Sequence, residues 1–306
     1  MSDLDMQVDL GGIRMKNPVT VASGTFGYGK EYAELIDVTR LGAITVKGIR
    51  LQAWPGNRLP RHVEVPGGMV NAIGLQGPGV EGFARDYMPF LRTTGVPVIV
   101  NIWGTREEEY AEVARRLSEV EGVSGLELNI SCPNVKEGGH AFGTDPLTVA
   151  SLVAAVRRAT RLPLMPKLAP NVPDIRLFVR AAQEAGADAL ALINTLPAMV
   201  IDIETRRPVL ANKVGGLSGL AIHPVAVKLV WEAAQAARVP LLAMGGIVGP
   251  EQAIEFLVAG ASAVAVGTAN FIDPTTPLRV LEGIEAYLRR HGMNTVAALT
   301  GSLRTE

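Results

Sequence analysis

Pro240 to Thr268 reads PLLAMGGIVGPEQAIEFLVAGASAVAVGT, and this stretch decides the fold. Pro240 to Met244 and Ala261 to Val266 are apolar on successive positions and have the length of strands covered on both faces, as in a parallel sheet. Between them, Pro250 to Ala259 has helical periodicity, with Pro suited to the first helical position and Gly260 closing the segment. Glycines follow both strands, as Gly245-Gly246 and as Gly267-Thr268.

Working outward, the same alternation recurs. Six further apolar runs predict strands: Pro18 to Ala22, Ala43 to Lys47, Pro97 to Trp103, Gly125 to Ile130, Leu162 to Leu168 and Ala189 to Asn194. Helical periodicity covers Arg106 to Val120, Asp145 to Ala159, Val172 to Ala185 and Pro224 to Ala237. Eight strands alternating with helices in a chain of 306 residues predict a (β/α)8 barrel, with a doubly wound open sheet as the alternative. Two connections, Gly48 to Val80 and Leu196 to Ile222, are too long for simple strand-to-helix turns. Both follow strands, so they are expected as long insertions on the C-terminal face, walling an active site. With no linker, repeat or low-complexity segment, residues 1–306 are expected to form a single domain.

Composition narrows the function. Apolar residues make up 48% of the chain, enough for a large buried core and too many for disorder. The 29 basic and 30 acidic side chains nearly cancel, so no excess of positive charge is available for a nucleic-acid partner. The single cysteine, Cys132, permits no internal disulfide and cannot supply the four thiolates of an ordinary iron–sulfur cluster. The four histidines are scattered, without metal-ligand spacing. The first twelve residues lack the pattern of a signal peptide, and no run of about 18 apolar residues is present. The expectation is a cytoplasmic protein with no membrane segment.

In a barrel, polar residues at the carboxyl ends of strands converge on one mouth. Here they are Ser23, Lys47, Asn101, Asn129, Lys167 and Asn194. Any one Asn could simply cap a helix or form a turn. The lysines say more, because a buried unpaired ammonium is costly and points to an anionic partner. Gly245-Gly246 and Gly267-Thr268 follow the seventh and eighth strands, where barrels often bind phosphate, and imply a phosphate-bearing cofactor. Cys132 follows the fourth strand and opens a glycine-rich loop, Lys136 to Gly143, that could fold over a ligand.

Several of these motifs occur together. Asn129-Ile130-Ser131-Cys132-Pro133-Asn134, Asn71-Ala72-Ile73-Gly74-Leu75, Ala22-Ser23-Gly24-Thr25-Phe26-Gly27 and Val46-Lys47-Gly48 resemble the class 1 dihydroorotate dehydrogenases. The resemblance spans about Val8 to Leu288 and implies an FMN-binding barrel that oxidises dihydroorotate to orotate in pyrimidine biosynthesis. It assigns Ser23, Lys47, Gly48, Asn101, Asn129, Lys167, Ile193, Gly219, Gly245, Gly246, Gly267 and Thr268 to FMN, the last four around its phosphate. To the substrate it assigns Lys47, Asn71, Ala72, Ile73, Gly74, Leu75, Asn129, Asn194 and Thr195. Cys132 is implied as the base on one face of the substrate ring, with FMN as hydride acceptor on the other and Lys167 stabilising negative charge on the reduced flavin.

Within class 1, Val65 to Gln76 is more similar to the NAD-linked type than to the fumarate-linked type, although Gly77 stands where NAD-linked members usually have Asn. That type implies a homodimer within a heterotetramer, whose second subunit carries FAD and a [2Fe–2S] cluster and passes electrons to NAD. Two other readings are a tRNA dihydrouridine synthase, which would be expected to have a basic tract and an RNA-binding appendage, and a barrel that binds FMN or phosphate without catalysis. Cys132→Ala is expected to nearly abolish dihydroorotate oxidation while leaving FMN bound. Full turnover by that variant, measured anaerobically, would remove Cys132 from the mechanism.

Overall fold

Eight short apolar runs pair side by side in parallel and wrap into a barrel. The computed structural model describes residues 4–130 and 142–305. The barrel strands are β1 (Val19–Val21), β2 (Ile44–Ile49), β3 (Val98–Ile102), β4 (Val123–Asn129), β5 (Leu164–Lys167), β6 (Leu190–Leu192), β7 (Leu241–Ala243) and β8 (Ala263–Val266). Hydrogen-bonded neighbours follow the order β1-β8-β7-β6-β5-β4-β3-β2. Each of the eight lies within or beside a run read from the sequence. No ladder joins β1 to β2; the seam is held instead by the Gly42 amide donating to Val19 O (2.8 Å) and the Thr20 hydroxyl donating to Ala43 O (2.8 Å).

Helices cover the outside. They are α1 (Gly79–Asp86), α2 (Met88–Thr93), α3 (Glu107–Leu117), α4 (Pro146–Ala159), α5 (Ile175–Glu184), α6 (His223–Ala234), α7 (Pro250–Ala259), α8 (Ala269–Ile272) and α9 (Thr276–Arg290). Side-chain caps decide two of the starts: Asp145 accepts the Thr148 amide at 2.8 Å and Asp174 accepts the Arg176 amide at 3.0 Å. The second cap starts α5 three residues later than the periodicity from Val172 suggests. Only two 3-10 turns, Tyr32–Glu34 and Val38–Arg40, stand between β1 and β2. Among the described residues, no helix is long and apolar enough to cross a membrane.

Strand alternation sorts the buried side chains into two layers. Outward-facing Val, Ile and Leu pack against the helices. A separate inner cluster fills the barrel and is built largely from small residues, including Ala43, Ala191, Ala263 and Ala265 beside Ile99, Met165 and Leu242. Its floor is an antiparallel hairpin, Val8–Leu10 with Ile13–Met15, whose Leu10, Ile13 and Met15 belong to the inner cluster. Gly125 at the foot of β4 makes room for this plug, since a Cβ there would lie 2.5 Å from Ile13 Cδ1.

The two long connections are not loops. His62–Val65 and Gly68–Asn71 come from the first, Leu196–Met199 and Val214–Ser218 from the second, and together they form one antiparallel four-stranded sheet. The two insertions meet along Gly68–Asn71 and Val214–Ser218, where Asn71 pairs with Gly216 and Val70 with Leu217. Each insertion forms its own hairpin, and the sequence does not show that the two hairpins join, because the strand each adds lies in the other insertion.

The plug should contribute strongly to stability. Ile13 is almost fully buried, and Ile13→Ala is expected to cost about 2–5 kcal/mol, lowering the thermal midpoint by several degrees in a melting experiment. An unchanged midpoint would show that the hairpin does not support the barrel.

Candidate active site

At the carboxyl ends of β1 to β6 the chain presents amide, hydroxyl and ammonium groups, and after β7 and β8 it presents glycines and Thr268. Above them lies a cavity of about 560 Å³, roofed by the insertion sheet. Ser23 enters it after β1, Lys47 and Gly48 from β2, Asn101 from β3, Asn129 from β4 and Lys167 from β5. Ile193, Asn194 and Thr195 follow β6, Gly245 and Gly246 follow β7, and Gly267 and Thr268 follow β8. Asn71, Ile73, Gly74, Leu75 and Gly219 come from the insertions.

One expected residue among those described stands elsewhere. Ala72 faces away from the cavity, fully buried with Val70 and Leu210, while Met69 and Asn71 line it, as alternation along an extended chain requires. Cys132 and most of the glycine-rich stretch that follows it lie outside the described residues. Lys47 was expected to end its strand, but β2 continues to Ile49. The ladder to β3 slips between Val46 and Ile49, so Lys47 and Gly48 sit at an irregularity rather than a terminus.

The rim is ordered by hydrogen bonds. Asn194 Nδ2 donates to Asn129 Oδ1 at 3.4 Å, the Thr195 amide donates to Asn194 Oδ1 at 2.8 Å, and the Tyr110 hydroxyl holds Asn129 O at 2.6 Å. Across the mouth, the Thr268 hydroxyl donates to Ser218 Oγ at 2.8 Å. The amides of Gly246, Gly267 and Thr268 donate to no acceptor among the described residues, leaving three N–H groups at the cavity edge. Gly245 and Gly246 take φ of 139° and 71°, and a Cβ on Gly246 would lie 2.7 Å from His223 Cβ. That turn therefore needs glycine both for its backbone angles and for its close approach to α6. His223 braces it, with Nδ1 2.9 Å from Gly245 O and Nε2 2.7 Å from Glu255 Oε2.

Sequence reading missed other lining residues: Thr25, Glu31, Tyr32, His62, Met69, Ser218, Met244 and Phe271. Glu31 and Tyr32 lie at a 3-10 turn, and Met69 and Ser218 lie on the insertion sheet, so neither barrel strand periodicity nor strand-end position marks them. Glu127 had a visible signal, a carboxylate in the middle of an apolar strand. It is completely buried, accepts a hydrogen bond from Asn101 Nδ2 at 2.6 Å, and lies 4.0 Å from Lys167 Nζ.

These features form a deep pocket with two cations, several amide side chains and a set of free backbone donors, suited to an anionic ligand with polar ring edges. The sequence model of the family described as dihydroorotate dehydrogenase matches residues 5–288. The chain belongs to the dihydroorotate dehydrogenase family. Its similarity to individual members extends over almost the whole length. It is 54% identical over 299 residues, covering 98% of each chain, to the dihydroorotate dehydrogenase B (NAD+) catalytic subunit of Pelobacter propionicus. The subunit of the same name from Geotalea daltonii is 52% identical over 304 residues, covering 99% of this chain and all of that one. That from Geobacter sulfurreducens is 50% identical over 303 residues, covering 99% of both. A dihydroorotate dehydrogenase is an oxidoreductase, and this family implies a flavin cofactor.

Within the dihydroorotate dehydrogenase cavity, Lys47 is electrostatically unusual. Burial, reinforced by repulsion from Arg61, pushes its pKa below the ordinary lysine value, and Glu31 opposes the shift only in part. Deprotonation on raising the pH would deprive a bound anion of its partner, and the lowered pKa brings that loss to the acid side of about 10.4. Orotate binding titrated from neutral to alkaline pH is expected to weaken accordingly. Lys47→Gln should lack this alkaline limb and bind orotate roughly tenfold or more weakly, for a lost charged hydrogen bond of about 1.5–3 kcal/mol. A limb retained in that variant would assign the titration to another group.

Proposed function

We propose that this chain is the FMN-binding catalytic subunit of an NAD-linked enzyme that oxidises (S)-dihydroorotate to orotate in pyrimidine biosynthesis. The observation that carries the reading is the conjunction, in one cavity of a barrel of this family, of a backbone anion cradle with a ring of amide and lysine side chains. The residues present fit FMN. Free amides at Gly246, Gly267 and Thr268 suit a phosphate, and the glycine turn lets this backbone pack directly against α6 at the cavity edge. Asn101 Oδ1 is buried without a partner beside Gly48, which is an acceptor awaiting a donor.

In this reading Gly245, Gly246, Gly267 and Thr268 hold the phosphate. Ser23, Lys47, Gly48, Asn101, Asn129, Lys167, Ile193 and Gly219 surround the rest of the cofactor. Bound FMN would supply a two-electron acceptor for the hydride that leaves dihydroorotate. Asn71, Asn129, Asn194 and Thr195 offer donors and acceptors to the amide edges of the substrate ring, and Lys47 pairs with its carboxylate. Asn129 and Asn194 are already bonded to one another, so their amide orientations are set before substrate arrives. Ile73, Gly74 and Leu75 wall the substrate from water. Cys132 is the base that removes the ring proton; an ordinary thiol is only a few per cent ionised at neutral pH, so turnover should rise toward alkaline pH.

The relatives are named catalytic subunits, which implies a separate partner subunit. One cysteine in 306 residues cannot form an ordinary cluster, so electrons bound for NAD need a route outside this chain. We assign FAD and a [2Fe–2S] cluster to the partner, in a cytoplasmic heterotetramer built on a homodimer of this chain. Anaerobic dihydroorotate should bleach the flavin absorption of the purified chain. That chain should reduce artificial dyes at once and NAD only when its partner is added. A flavin that stays oxidised would overturn the proposed reaction, and NAD reduction by the isolated chain would overturn the partner.

A further inference from the structure

We propose that Glu127 is a positioning residue that balances the charge of Lys167 from inside the barrel, and so tunes the electrostatic environment of the cofactor. The inference rests on the flavin reading above and adds to it a residue outside the cavity lining. Glu127 is completely buried in β4, between Leu126 and Leu128. Its two polar neighbours are both cavity residues. Asn101, its register partner on β3, donates Nδ2 to Oε1 at 2.6 Å, and Lys167 Nζ stands 4.0 Å from the same oxygen. Two residues further along β4, Asn129 is the register partner of Lys167, so Glu127 lies one inward layer below the ammonium.

The carboxylate faces the Lys167 ammonium and, among the described residues, no acceptor for an acid proton. A protonated acid carries an O–H that must find an acceptor. Oε1 is already accepting from Asn101, and Oε2 has no partner among the described residues. An isolated carboxylate there would be costly, whereas one facing an ammonium is partly compensated. Lys167 is itself nearly buried, lines the cavity, and among the described residues has no hydrogen bond to another side chain that would neutralise it. The cavity thus meets a cation backed by an anion, and its net pull on electron density is weaker than that of Lys167 alone. Glu127 also orients Asn101: as an acceptor only, it draws Nδ2 inward and leaves Oδ1 toward Gly48.

The test is a redox titration of the flavin-loaded chain against indicator dyes. Glu127→Gln keeps the shape and can still accept from Asn101 while deleting the negative charge. It should favour reduced flavin by about tenfold, an upward shift of about 30 mV for a two-electron couple. Glu127→Asp, which retains the charge, should stay nearer the parent, and Lys167→Gln should move the potential downward. A purely structural role would lower the melting temperature of Glu127→Gln and leave its potential in place, which overturns the proposal. Should Glu127→Gln fail to fold, the pair Glu127→Gln with Lys167→Met removes both charges. Recovery of folded protein in the pair supports charge balance, and failure of both variants overturns it. A parent chain that binds no flavin would defeat the functional reading and this inference together; a flavin-loaded parent matched in potential by Glu127→Gln defeats only this inference.

Discussion

Parallel pairing in register places inward side chains of neighbouring strands at common heights inside the barrel, and the rest of the molecule depends on that constraint. Asn101 stands level with Glu127, and Asn129 with Lys167, because the β3–β4 and β4–β5 ladders make them partners. Every strand runs from the plugged floor to the open rim. Apolar residues early in each run therefore fill a dry interior, while the polar residues that end or follow it collect in one cavity. A slip of one residue in any ladder would turn the functional side chains toward the helices.

The interior also explains the choice of small residues. Ala43, Ala191, Ala263 and Ala265 leave space for Ile99, Met165 and Leu242 from other strands and for the hairpin below. Packing at this density holds the rim residues in place. The weaker seam between β1 and β2, bridged by one backbone bond and the Thr20 hydroxyl, is where the sheet order begins and ends. At the top, the insertion sheet performs the opposite service of the plug. It encloses the cavity with backbone that is hydrogen-bonded to itself and leaves side chains such as Met69, Asn71 and Ser218 facing inward.

Electrostatics divides the cavity into two regions. At the ends of β7 and β8, partial positive charge comes from backbone amides, which neither titrate nor move far. Around β2 and β5 it comes from lysines, each in a different setting. Lys47 lies near Arg61 and Glu31 and is depressed chiefly by burial. Lys167 faces the buried Glu127, so its charge is offset from below. One cavity can thus hold a permanently anionic group by fixed dipoles and a flat polar ring by groups whose charge depends on their neighbours.

Strand number, order of strands and helices, and most of the rim were legible in the sequence, because these depend on local periodicity and on which residue follows each apolar run. The glycine pairs, the lysines and the asparagines needed only the barrel rule to be assembled into a mouth. Glu127 was visible as a charge in an apolar strand, yet its meaning depended on ladder register, which no single run specifies. The same limit hid the insertion sheet, since its two hairpins join only where Gly68–Asn71 pairs with Val214–Ser218, nearly half the chain away. Ala72 shows the remaining gap: its motif placed it beside a ligand, and the alternation of the strand it extends turned it into a hydrophobic cluster. Sequence alone therefore determined which barrel strands form and which end of each carries chemistry, since both are properties of short segments. Tertiary structure decided which side chains meet, because contact between distant segments depends on register, curvature and burial that only the closed barrel imposes.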